Sequence, residues 1–231
     1  MTNQLKIREK ESGLWLVKIV NTVSYFICRL VLIIRRVKVE IDPSIFAYRK
    51  KAGQGLILIS NHEGIADPWI ICASIPVKTF FSLMPVRIMG AFDFADPVAS
   101  FFNKLGIVKI VYYLYGVMGF RKDWTFEEKL APFIACLKNG GTILVFPEGR
   151  LNHQPGVEIF RQGIIHIYNS ARSDILPFAI NKSRKSIWVH IGPITHIPEA
   201  VAQSEDPGDK FPSRQCEYLR QQVANLYDQN N

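Results

Sequence analysis

A histidine and an aspartate five residues apart, His62 and Asp67, stand where a run of apolar residues ends. Gly55-Leu56-Ile57-Leu58-Ile59-Ser60 reads as a buried strand, continuous and apolar after a glycine. Asp67-Pro68 reads as a helix start, with Asp at the N-cap and Pro at the first helical position. His62 therefore emerges at a strand tip, which is where open α/β sheets bind their ligands. A carboxylate on Nδ1 would fix the tautomer and favour imidazolium as it forms. Nε2 would stay free to take a proton from a substrate hydroxyl. The same spacing also fits an aspartate that merely caps its helix beside an ordinary loop histidine. The pair alone does not separate those readings.

A second segment, Val145-Phe146-Pro147-Glu148-Gly149-Arg150, is also a strand followed by a tight turn. Glu148 directly off a strand tip can accept hydrogen bonds from backbone amides or from a substrate, and Arg150 is a donor suited to anions. A turn with solvated charges is the plainer alternative. Other chemistries find no support. There is no G-x-S-x-G elbow, no P-loop and no G-x-G-x-x-G fingerprint. His153, His166, His190 and His196 lack metal-ligand spacing, so no metal is expected. Cys28, Cys72, Cys136 and Cys216 are far apart, which suits a reducing compartment and neither a disulfide framework nor a zinc site. Asn181-Lys182-Ser183 is formally a glycosylation sequon, but the cysteine usage argues against a lumenal location.

Taken together, the two segments are more specific. The pattern N-H-x-x-x-x-D at Asn61 to Asp67, with F-P-E-G at Phe146 to Gly149, resembles the phospholipid/glycerol acyltransferase superfamily, which includes lysophosphatidic acid acyltransferases. Gly116-Val117-Met118-Gly119-Phe120-Arg121-Lys122 is similar to that family's G-x-x-F-x-x-R block, which contacts the acceptor phosphate. Ile175-Leu176-Pro177-Phe178-Ala179-Ile180 is similar to its fourth block, an apolar strand with a central proline. The four blocks come in family order across roughly residues 40 to 195. Phe160-Arg161-Gln162-Gly163 matches the family's F-K-x-G. In one respect the chain departs from the pattern F-P-E-G-T-R-S: Arg150 occupies the Thr position and Leu151 the Arg position.

The resemblance implies transfer of a fatty acyl group from a thioester, acyl-CoA or acyl carrier protein, to a hydroxyl of a lysophospholipid or glycerol phosphate, with 1-acylglycerol-3-phosphate foremost. His62 would be the general base and Asp67 its partner. Asn61, Arg121, Lys122, Glu148, Gly149, Arg150 and Arg161 would lie at the substrate. No cofactor or metal is implied beyond the acyl donor itself. A related lysolipid acceptor, or a non-catalytic membrane-surface protein of the same fold, are the alternatives.

The elements that must position these residues read as alternating strands and helices. Thr79 to Met84 is predicted as a strand. Residues 97 to 118 are too uniformly apolar for periodicity to choose between helix and strand. Thr125 with Glu128 forms a capping box that opens a helix ending at Asn139-Gly140-Gly141. Thr142 to Phe146, residues 174 to 180 and residues 187 to 191 read as strands, and Ser213 as the cap of a final amphipathic helix. The expectation is an α/β domain, residues 40–231, with a mixed, mostly parallel sheet flanked by helices.

The remaining segment, residues 1–39, carries most of the charge excess. Net charge is +8, and residues 1 to 60 hold 11 basic against 4 acidic side chains. Basic residues gathered at one end do not suit a nucleic-acid reading face, so no nucleic acid is expected. Here they surround an apolar run from Gly13 to Ile34. Mean hydropathy of +0.08 is too low for a bundle of membrane spans. Lys18, Thr22, Tyr25 and Arg29 fall in one narrow stripe, Lys18 and Arg29 being only about 20° apart around a helix. Such a helix is predicted to lie in the membrane interface at the cytoplasmic face rather than span it, its cations reaching anionic head groups; a spanning helix and a buried core helix with two snorkelling cations are the alternatives. Membrane lipids are the expected partner.

Overall fold

Strand β2 (Leu56–Ile59) sits fourth of seven in a sheet of order β1-β7-β6-β2-β5-β3-β4. All four of its side chains are completely buried, because helices cover both faces. The computed structural model describes residues 11–91, 106–121, 123–152, 154–183, 186–202 and 212–230. Its other strands are β1 (Lys38–Ile41), β3 (Val86–Ala91), β4 (Val117–Phe120), β5 (Thr142–Val145), β6 (Asp174–Lys182) and β7 (Ile187–Ile191). Every neighbouring pair is parallel except β6 with β7, which is antiparallel. The expected mixed, mostly parallel sheet between helices is the fold observed.

One face carries Ile57, Ile59, Ile143, Val145, Ile175 and Ala179. It packs on α6 (Phe126–Lys138), α7 (Gly163–Ala171) and α9 (Arg214–Tyr227). The other carries Leu56, Leu58, Leu144, Leu176, Phe178 and Ile180. It packs on α1 (Glu11–Ile34), α2 (Ser44–Ala47), α3 (Asp67–Ser74) and α4 (Val77–Leu83). Among the described residues there are also two short helices, α5 (Ile107–Tyr115) and α8 (Glu199–Ala202). The capping box of Thr125 and Glu128 is formed, and Ser213 Oγ accepts the Cys216 amide at the start of α9.

Two expectations are corrected, and one ambiguity is resolved. Thr79 to Met84 is helical, within α4, and the strand begins only at Val86. Its Thr and Phe content suggests a strand, but the buried residues Thr79, Phe80 and Leu83 share one helical face against the sheet. The ambiguous stretch resolves into α5 and β4 where it is described, and residues 97 to 105 lie outside the described residues. Asp67 is the first helical residue of α3 rather than its N-cap, which is Ala66, and its carboxylate makes no cap bond to the helix.

Tyr25 and Arg29 of the α1 stripe face the protein, while Lys18 is exposed. Tyr25 is buried, stacks on Phe80 with ring centroids 4.2 Å apart, and donates its hydroxyl to the carbonyl of Ile75 at 2.9 Å. Arg29 donates to the carbonyl of Ala73 at 2.8 Å and that of Ile75 at 3.4 Å. These are the last carbonyls of α3, which lack partners within their own helix and carry its negative dipole end. Arg29 is thus taken up as a helix C-terminal donor and does not point to head groups, as the stripe alone suggested. Trp15, Ile19, Val23, Phe26, Ile27, Leu30, Ile33 and Ile34 are left exposed on the outer face. Trp15–Ile34 is long and apolar enough to cross a membrane.

Candidate active site

Two turns meet at the C-terminal edge of the sheet. One leaves β2 through Ser60 and Asn61, and the other leaves the adjacent β5 through Phe146 and Pro147. The strands run in parallel register, Ile59 beside Val145, so His62 and Glu148 arrive at the same level. The carboxylate of Glu148 then ties the turns together. Its Oε2 accepts the His62 amide at 3.1 Å and its Oε1 accepts the Glu158 amide at 2.9 Å. The Asn152 amide donates to the His62 carbonyl at 2.6 Å. Burial pushes the Glu148 carboxyl up to about 7, against the two amide donors that favour its charged form.

Within the first turn, the Asp67 carboxylate is wholly buried. Oδ2 lies 3.1 Å from His62 Nδ1 and accepts the amides of Glu63 and Gly64 at 2.7 Å each. Oδ1 accepts from Lys182 Nζ. Burial works to raise the Asp67 carboxyl, but the bonds from His62 and Lys182, with the Lys182 charge, hold it below the usual carboxylate range. An ionised carboxylate only accepts, so Nδ1 carries the proton of the neutral ring and Nε2 is its basic nitrogen. Phe146 stacks on the imidazole, centroids 4.0 Å apart and planes 18° from parallel, which fixes the ring plane. No described residue hydrogen-bonds Nε2, and the side chain is 20% exposed. The geometry is that of an oriented base open to a substrate.

The other predicted residues divide. Asn61 is fully buried, and its amide bonds β6: Nδ2 donates to the Ile180 carbonyl and Oδ1 accepts the Ile180 amide, both at 2.8 Å. It is a tie between strands. Gly149 closes the second turn at φ +71°, donating to the Phe146 carbonyl at 3.0 Å. Arg161 is exposed and donates through Nε to the Glu148 carbonyl at 3.0 Å. Arg150 pairs with Glu158 at 2.8 Å. Both arginines line one open groove with Glu158, Glu217 and Arg220. Arg121 follows β4, three strands from β2 and so about 14 Å away along the same sheet edge. It pairs with Asp123 at 2.8 Å, exposed, and is not brought to His62. Lys122 lies outside the described residues.

Sequence reasoning missed Lys182, Glu63 and Phe146. Glu63 accepts the Lys182 amide at 3.1 Å and Asn61 Nδ2 at 3.3 Å. Burial raises its carboxyl, opposed by a hydrogen bond from Tyr227. The available signal was the end of the apolar strand 174 to 180. It pairs with β2, so its last residues must reach the His62 turn.

The sequence matches the family model described as Acyltransferase over residues 44–181, which takes in all four blocks. In fold the chain is similar to the 1-acyl-sn-glycerophosphate (LPA) acyltransferase, PlsC, from Thermotoga maritima. The TM-score is 0.58 at 15% identity, over 96% of this chain and 83% of that one. No curated protein matches significantly.

Proposed function

Because the chain belongs to the acyltransferase family, we propose that it moves a fatty acyl group from acyl-CoA or acyl carrier protein to a hydroxyl of a lysophospholipid or glycerol phosphate, with 1-acylglycerol-3-phosphate as the favoured acceptor. The observation that carries this reading is His62, held by Asp67 through Nδ1 with Nε2 open at the sheet edge. The acceptor hydroxyl gives its proton to Nε2 as its oxygen attacks the thioester carbonyl. The tetrahedral intermediate collapses with loss of the thiolate, which recovers the proton from the imidazolium. An ester forms, a thioester breaks and a free thiol leaves. A positioned base of this kind supplies about 10²–10⁴-fold, and alignment of the two substrates supplies the rest.

Glu148 and Gly149 shape the turn beside the base, and Arg161 with Arg150 would hold the acceptor phosphate through their guanidinium groups. Residues 1–39 would serve as the membrane-association segment and residues 40–231 as the acyltransferase domain. The apolar outer face of α1 is the kind of surface that marks a membrane contact. Its inner face is bound to the domain from Val17 to Leu32, which favours a helix lying in the interface, on the cytoplasmic side, over one that crosses. The test is thiol release from an acyl thioester, read with a panel of acceptors. Acceptor-dependent release with 1-acylglycerol-3-phosphate supports the reading. Release with another lysolipid alone would reassign the acceptor, and no release with any would leave a non-catalytic protein of the same fold.

A further inference from the structure

Among the described residues, the His62–Asp67 pair is ringed by carboxylates. Glu63 lies on the same turn, Glu148 bonds the His62 amide from the β5 turn, and Glu158 bonds Glu148 through its own amide. Glu158 already pairs with Arg150, and Glu63 is bonded by Tyr227 at the end of α9. The cation that reaches into the cluster from the neighbouring strand β6 is Lys182, with its ammonium on Asp67 Oδ1. Its backbone is pinned as well. The Lys182 amide donates to Glu63 Oε2 at 3.1 Å, and Ile180 two residues earlier exchanges both bonds with Asn61. The place is also kept clear: a Cβ on Gly64 would come 2.7 Å from Lys182 Nζ.

We infer that Lys182 is a positioning residue for the base, holding Asp67 by the oxygen that His62 does not use and balancing its charge, so that the carboxylate orients the imidazole without being left an unpaired buried charge. A buried carboxylate without this ammonium would draw a proton onto the imidazole facing it. With it, Asp67 orients the ring and still stabilises imidazolium as it forms. Lys182 touches no reacting atom and acts through Asp67. The inference rests on the reading of His62 as the base of acyl transfer.

The test follows the His62 ring by NMR titration of the full chain, its signal assigned by loss in H62A, alongside the pH–rate profile of kcat/KM. K182M is expected to move the His62 midpoint upward by about one unit, the scale of one nearby charge in a partly solvated site. The acid limb of the rate profile should move with it, so that activity at a pH on that limb falls about tenfold. K182R keeps the charge and should leave both curves in place. A midpoint unmoved in K182M, or moved equally in K182R, overturns the inference. K182Q replaces K182M if circular dichroism shows the latter unfolded. Failure of the wild type to transfer acyl groups would sink the proposed function, while the ring titration would still decide the part of Lys182.

Discussion

Gly149 and Arg161 are packed so closely that no side chain fits between them: a Cβ on Gly149 would lie 2.6 Å from Arg161 Nε and 2.7 Å from its Cδ. The glycine also sits at φ +71°, where an L residue is strained by roughly 1–2 kcal/mol. G149A should therefore lower stability by at least that amount and displace Arg161 from the Glu148 carbonyl. R161A should leave stability nearly unchanged and raise the acceptor KM more than the thioester KM. R150A should do the same to a smaller extent, because Arg150 is already paired with Glu158. Steady-state kinetics on both substrates, with thermal melts, separate these outcomes. An R161A effect confined to the thioester KM would assign Arg161 to the donor.

H62A should reduce turnover at least about 10²-fold while the protein stays folded, because the bonds of the turn to Glu148, Asp67 and Asn152 run through backbone groups that do not need the ring. D67N should be worse behaved. The carboxylate satisfies two turn amides and an ammonium, and an amide has only one oxygen to accept with. Both activity and melting temperature are expected to fall, the latter by the cost of a broken buried network, on the order of 3 kcal/mol. A D67N protein as stable as wild type would mean that the turn does not depend on the ion pair.

Much of this arrangement is legible in the residues. The buried strands around Ile57, Ile143 and Ile175, the Thr125 capping box and the Ser213 cap follow from local pattern. So does the His62–Asp67 contact, which one turn suffices to close. Contacts that need the sheet order are not local. Lys182 meets Asp67 across 115 residues only because β6 pairs with β2. The α4 segment misleads because aromatic and threonine residues suit a helix face against a sheet as well as a strand. The stripe on α1 is read correctly as a stripe, but its Tyr25 and Arg29 face the domain and only Lys18 is left exposed. Periodicity marks which residues are alike, and the tertiary packing of Tyr25 and Arg29 decides which side is inward.

Glu148 gives a pH signature. Burial places its carboxyl at about 7 in the folded protein, above the ordinary carboxylate range it returns to on unfolding. Between those values the unfolded chain has released a proton that the folded chain still holds, so the contribution of this group to stability falls as pH rises to about 7 and is flat above. E148Q removes the titration. The melting temperature of E148Q relative to wild type should therefore climb from about pH 4.5 to about pH 7 and then level off. A difference that stays constant with pH would show that the amide donors from His62 and Glu158 cancel the effect of burial.

The outer face of α1 sets the last expectation. Removing residues 1 to 36 would strip Tyr25 from Phe80 and free the α3 carbonyls that Arg29 caps, so that deletion should destabilise the domain and report little about membranes. Substitutions confined to the outer face avoid this. Ile27 is 58% exposed and Leu30 57%, and both point away from the buried stripe. I27E and L30E together should keep the melting temperature within a degree or two, because neither side chain packs on the core. They should also release the protein from anionic vesicles in a sedimentation assay, since apolar burial in the interface is lost and like charge is placed against the lipid. Activity on vesicle-borne acceptor should fall with binding, and activity on a short-chain soluble acceptor should persist. Retained vesicle binding by the double variant would show that this face is not the membrane contact. Cleavage of an N-terminal tag from the far side of sealed vesicles would show that the helix crosses, in which case the packing of Tyr25 and Arg29 on the domain would have to be given up in the membrane-bound protein.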